Sequence, residues 1–171
     1  NEVNLGFEIL KGSGSSDNMD LLLVAAVTNH VFKYAEVAQL AGVNCDVVDV
    51  NGFALANTFR ANYGVMKGQS IALLNIGATA TNMVIVDGSE IVFSRDIPVG
   101  GLTYTQDIQK SLGVNLEEAE AIKLSLATGQ APEEAESIVL STHEVVLEEL
   151  RSSFDFFHNT SQSGGIAKCF I

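Results

Sequence analysis

A chain of 171 residues, 47% of them apolar, can bury a real core in one domain or two small lobes. Its formal net charge of -12 and isoelectric point near 4.4 argue against an electrostatic grip on nucleic acid or anionic lipid, because both need a basic face. No stretch reaches the roughly 18 to 20 apolar residues that span a bilayer, and none reads as a secretory leader, so direct membrane insertion is not expected. Partners are expected to be neutral or basic. Cys45 and Cys169 make no metal spacing and lie in apolar runs, which predicts reduced core residues of a cytoplasmic protein. The chain starts at Asn1 without a methionine and stops at Ile171 inside an apolar strand pattern, so a piece of a longer protein is expected.

Residues 4–10 carry a weak strand pattern, and the Gly/Ser stretch 12–17 reads as a loop. The continuous apolar run Leu21–Val27 predicts a buried strand. Thr28 then caps a helix through Leu40 that Gly42 ends, and 43–50 reads as another strand. That order predicts a strand-helix-strand lobe. His30 reads as a solvated surface histidine. Asn51 caps a helix over 52–63, with Phe53, Leu55, Ala56 and Phe59 on its apolar side and Gly64 as its stop signal.

The stretch 70–101 organises the rest. Residues 71–75 fit a buried strand, the small-residue turn Gly77-Ala78-Thr79-Ala80-Thr81 interrupts it, and 83–86 resume the strand pattern. Asp87-Gly88 gives a two-residue hairpin turn, and 91–97 form a third strand ending at Pro98 and the pair Gly100-Gly101. Side chains this small leave backbone N–H groups and the hydroxyls of Thr79 and Thr81 free to face an anion. Taken alone, the turn is equally compatible with a corner shaped only by packing.

A short helix follows over 103–112, closed by Gly113. Asn115 and Glu118 form a capping box for the next helix, which runs to about Ala127. Glu120 and Lys123 stand i and i+3 on its face and read, on spacing alone, as a surface ion pair. Pro132 opens a long helix with Glu133, Glu134 and Glu136 in its first turns, where the helix dipole favours acids. Ile138, Val145, Val146, Leu150, Phe154 and Phe157 are its core positions to about His158, and 166–171 read as a last buried strand.

The blocks LLNIGATATNMVIVDG, FSRDIPVGG, LTYTQDIQKSLG and EEAEAIK, in this order and spacing, closely resemble the PilM family, the actin-like proteins of type IV pilus assembly. The segment VAAVTNHVFKYAEVAQLAGVNCDVVDV before them is similar to the same family, and the division protein FtsA shares the architecture. The resemblance implies an α/β chain of the actin-like ATPase (ribonuclease H-like) fold. It would comprise the second-half subdomains and part of a small inserted α+β lobe. On this division 1–50 belong to the lobe and 51–68 to a connecting helix. Residues 69–112 and 132–171 form a 2A-like subdomain, with 113–131 a small 2B-like excursion.

The turn from Gly77 through Ala78, Thr79 and Ala80 to Thr81 then becomes the second phosphate loop for ATP. Gly100 and Gly101 line the same cleft. Glu117, Glu120 and Lys123 match the helix that meets ribose and adenine, which displaces the surface-pair reading. The first phosphate loop and the closing adenine-site glycines have no counterpart in this sequence.

Two positions depart from the family's chemistry. Asn75 stands where an aspartate usually organises Mg²⁺, and an amide lacks the charge that ion prefers. Asn51 corresponds to the position that orients the attacking water, and an asparagine takes up no proton near neutral pH. Losing both acids predicts a site whose output is binding rather than turnover. The family further implies a cytoplasmic adaptor that binds the cytoplasmic tail of an inner-membrane PilN-type protein, with residues 20–50 as one wall of the groove. Through it the chain meets other inner-membrane pilus proteins and, indirectly, the motor ATPases. The competing functions are an FtsA-like polymerising ATPase, a type II secretion actin-like domain, and a sugar kinase. For the last, Asp46, Asp49, Asp87 and Asp96 are the available acids, and none stands in a recognisable sugar-kinase motif.

Overall fold

The computed structural model describes residues 2–9, 19, 21–161 and 165–171. The expected loop at 12–17 lies outside them. The chain divides into two compact units, Asn1–Asp49 and Val50–Ile171.

In the first unit β1 (Val3–Ile9) and β2 (Leu21–Val27) pair antiparallel, from Val3 opposite Val27 to Ile9 opposite Leu21. Helix α1 (Thr28–Leu40) follows directly, with the Thr28 N–H donating to the Glu2 carbonyl at 3.1 Å. Thr28 is the first helical residue rather than the cap, since Val27 holds that position without a side-chain hydrogen bond. Two expectations fail here. Residues 43–50 form no strand, because Val43 folds back to donate to the Ala38 carbonyl and no described strand pairs with the segment. The order is therefore strand-strand-helix. Nor is β2 buried: its residues alternate between exposed and half-buried, as a two-layer element with one covered face requires.

The second unit is a four-stranded sheet in the order β5-β4-β3-β6, with helices on both faces. Strands β3 (Ser70–Ile76), β4 (Thr81–Asp87) and β5 (Glu90–Ile97) form an antiparallel meander, and β6 (Ile166–Phe170) lies parallel to β3. Helix α2 (Asn51–Tyr63) covers one face: Ala56 and Phe59 pack on Ile71, Leu73, Val84 and Val86. Helix α5 (Glu133–Thr160) covers the other through Phe157, against Ala72, Leu74, Met83 and Ile85. The two central strands are thus buried on both sides, which explains their unbroken apolar runs. Each fully buried Ile, Leu or Met contributes about 1.5–3 kcal/mol relative to exposure.

The remaining helices, α3 (Gly101–Leu112) and α4 (Leu116–Leu126), leave from the end of β5. Asn115 and Glu118 exchange the reciprocal hydrogen bonds of a capping box at 2.9 and 3.1 Å, as expected. Three local readings shift. The hairpin turn is Gly88-Ser89, since Asp87 still pairs with Glu90. Asn51 is the first residue of α2 while Val50 occupies the cap position. Strand β6 forms a sheet edge and is exposed or half-buried along its length, so Cys169, like Cys45, is an exposed free thiol rather than a core residue.

Candidate functional site

The turn between β3 and β4 is fastened to the start of α3. Gly77 N–H closes the turn on the Ala80 carbonyl at 2.9 Å. Gly101 N–H then donates to the Gly77 carbonyl at 2.9 Å, and Leu102 N–H to the Ala78 carbonyl at 2.7 Å. The first amides of α3 are therefore spent on the turn and are not open to a ligand. Gly100 makes this contact possible: a Cβ there would meet the Gly77 oxygen at 2.5 Å and the Ala78 oxygen at 2.7 Å. Among the described residues the amides of Ala78, Thr79 and Ala80 donate to no protein acceptor, so the turn keeps a short row of free N–H groups. Thr79 is exposed beside them. Thr81 points inward instead: it is buried, and its hydroxyl donates to the Val99 carbonyl at 2.8 Å, so it is not free for an anion.

Helix α4 brings a second group to the same place. Lys123 Nζ donates to the Gly101 carbonyl at 3.2 Å, to Thr105 Oγ1 at 3.0 Å and to Glu120 Oε2 at 2.7 Å. All three ammonium protons are thereby engaged. The Thr105 hydroxyl, buried in α3, donates in turn to Glu120 Oε2 at 2.5 Å. Hydrogen bonds from Lys123 and Thr105 hold the Glu120 carboxyl below its ordinary value, against a smaller opposing effect of partial burial. Glu117 stands exposed one turn earlier.

A third group lies across the sheet at its turn end. Asn75 of β3 is opposite Asn82 of β4, which is opposite Asp96 of β5. Asn75 Nδ2 donates to Asn82 Oδ1 at 3.1 Å, and Asn82 Nδ2 donates to Asp96 Oδ1 at 2.7 Å. Two residues back along the strands, Val84 and Ser94 receive Gly52 of α2, whose Cβ would come within 2.9 Å of both side chains. Side chains two apart share a face, so the polar row lies on the α2 side, one step beyond the first turn of that helix. Asn51 is exposed in that first turn.

The chain matches the family described as type IV pilus assembly protein PilM over residues 1–171. It belongs to that family. The cell division protein FtsA of Bacillus subtilis (strain 168) is 33% identical over 70 residues, 41% of this chain and 16% of FtsA. Among solved structures, a PilM-PilN type IV pilus biogenesis complex is similar with a TM-score of 0.77 and 24% identity, over 92% of this chain and 46% of that one. MreB5 of Spiroplasma citri bound to ADP gives 0.59 at 17% identity, over 80% and 50%. The ethanolamine utilization protein EutJ from Carboxydothermus hydrogenoformans gives 0.54 at 20%, over 75% and 43%. The fold is that of the actin-like ATPases, and this PilM-family chain spans about half the length of those solved structures.

The structure brings together the predicted turn, Gly100, Gly101, Glu120 and Lys123. Sequence reading missed Thr105, which joins Glu120 to α3, and Asn82, and it took Asp96 only as one of several available acids, not as the end of the line from Asn75. Asn82 had a signal: it is a polar side chain directly before the apolar run 83–86 of β4, and the structure finds it 5% exposed with both ends of its amide engaged. Among the described residues no helix is long and apolar enough to cross a membrane.

Proposed function

We propose that this PilM-family chain carries the second half of an ATP site. In this reading the protein is a cytoplasmic adaptor in type IV pilus assembly whose output is binding. One observation carries the reading: the turn with its free amides, the Gly100-Gly101 pair and the Glu120–Lys123 pair converge on the first turn of α3. Amides of Ala78, Thr79 and Ala80 suit the outer phosphates, because successive N–H groups in a tight turn form a concavity for an anion. Glu120 engages one oxygen with Lys123 and Thr105 and keeps the other as an acceptor for a ribose hydroxyl. Residues 51–68, 69–112 with 132–171, and 113–131 take the connecting, 2A-like and 2B-like roles, with 1–50 in the inserted lobe.

The donor set at the end of the sheet fits Mg²⁺ loosely. It offers the Asn75 amide, whose neighbour Asn82 is held by the Asp96 carboxylate, to an ion that keeps several waters and is bound chiefly through the phosphates. Magnesium, when bound, offsets the charge of the outer phosphates. This chain's own residues hold the phosphate turn in place and shape the cleft wall. With an amide at 75 and at 51, turnover is slow or absent. By family, the partner is the cytoplasmic tail of a PilN-type inner-membrane protein, and the net charge of -12 suits a neutral or basic peptide. The motor ATPases are reached indirectly.

Calorimetric titration of the full-length protein with ATP, with and without Mg²⁺, tests the reading. ATP is expected to bind with weak magnesium dependence, and Asn75→Asp is expected to strengthen that dependence. Tight Mg-ATP binding with rapid turnover by the native protein overturns the binding-only reading. Absence of binding in both conditions removes the nucleotide and leaves the peptide tail as the ligand to titrate.

A further inference from the structure

We propose that Asp96 is a positioning residue: through Asn82 it decides which atom of the Asn75 amide faces outward beside the phosphate turn. The inference rests on the nucleotide reading above. An amide side chain has a donor end and an acceptor end, and only its neighbours settle which is which. A carboxylate accepts only. Asn82 must therefore turn its NH₂ to Asp96, at 2.7 Å, which leaves Asn82 Oδ1 facing Asn75. Asn75 must in turn present its own NH₂ to that oxygen, at 3.1 Å. With one N–H on Asn82, Asn75 keeps its second N–H and turns its carbonyl oxygen to the side away from Asn82.

That orientation matters for a cation. Oxygen is the ligand Mg²⁺ and its waters accept, and an outward NH₂ repels them. The position lost the charge of an aspartate, and the relay restores its acceptor. The row is built for this: the register places all three side chains opposite one another, and Asn82 is buried with both amide ends engaged. Asp96 and Asn75, by contrast, are exposed, so changing either leaves the core intact. An asparagine at 96 both donates and accepts, and the row can then run in either direction.

The experiment is calorimetric titration of the full-length protein with ATP, with and without MgCl₂, alongside thermal unfolding of each variant. Asp96→Asn is expected to bind magnesium-free ATP as the native protein does. The modest affinity gain that the native protein shows on adding magnesium is expected to be lost, a fall of up to about fivefold, the size of one net hydrogen bond. Combining Asp96→Asn with Asn75→Asp is expected to restore the gain, because a carboxylate at 75 presents oxygen whichever way it turns; a merely structural role for Asp96 instead weakens magnesium-free binding and lowers the unfolding midpoint of the single variant. Three results overturn the relay while leaving the nucleotide site standing: a native protein that binds ATP with no magnesium gain, an Asp96→Asn variant that keeps the full gain, or a double variant as weak as the single one. A native protein that binds ATP in neither condition overturns the nucleotide reading and the relay with it.

Discussion

Gly100 and Gly101 are a pair in sequence, and reading them as two equal liners of a cleft follows from that. The fold separates them. A Cβ on Gly100 would press on two backbone oxygens of the turn at 2.5 and 2.7 Å, and those oxygens are held by the amides of Gly101 and Leu102. A Cβ on Gly101 meets its nearest atom, Lys123 Nζ, at 3.7 Å, an ordinary contact with a side chain that can shift. Gly100→Ala is therefore expected to cost about 1–3 kcal/mol, the range for forcing atoms into a packed site, and to weaken nucleotide binding by displacing the turn. Gly101→Ala is expected to change stability by well under that. Urea unfolding of both variants checks the contrast; equal losses would show that the turn is not held by this approach. Thr81 teaches the same lesson in reverse. Its hydroxyl looked free because nothing local claims it, yet the Val99 carbonyl, 18 residues along the chain, takes the hydrogen bond.

Elements whose signals are local were legible, and those that depend on a distant partner were not. The capping box of α4 is one of the former: Asn115 and Glu118 are three residues apart and need nothing else. Asn115→Ala is expected to cost about 1 kcal/mol, read as a lowered urea midpoint at unchanged slope. The strand expected at 43–50 is one of the latter. Its valines fit a pleat, but a strand exists only beside another strand, and none is offered among the described residues. Helix α4 also carries the tie to α3, and here the sign of a pH effect can be fixed. Glu120 has a folded-state pKa below its ordinary value near 4.5, held down first by the Lys123 hydrogen bond and then by that of Thr105. Its contribution is thus present above that value and lost as pH falls through the lower folded one. Glu120→Gln is expected to be less stable than the native protein near neutral pH and to converge with it in acid. A gap between the two urea midpoints that persists unchanged at about pH 3 would assign the loss to packing rather than charge.

For the whole molecule, the division at Asp49 and Val50 separates two parts of unequal self-sufficiency. Both core clusters of the second unit, from Ala56 and Phe59 through the central strands to Phe157, draw every member from residues 50–171. Helix α1 of the first unit has no buried residue. Its two strands set Val3, Leu5, Phe7 and Ile9 beside Leu21, Leu23 and Val27 on one face, and all of them are exposed. The apolar run of β2 was read as a buried strand because hydropathy reports what a side chain prefers, whereas burial also needs a covering layer. A two-stranded sheet that leaves one apolar face open, beside a helix with no buried residue, is marginal in water, while a four-stranded sheet covered on both faces is not. A polypeptide of residues 50–171 is therefore expected to unfold in one cooperative transition, and residues 1–49 alone to show no such transition. Far-UV circular dichroism and urea titration of the two pieces decide it. Should 50–171 melt without cooperativity while the whole chain does not, its core depends on residues that the packing assigns no part in it, and the division at Asp49 and Val50 falls.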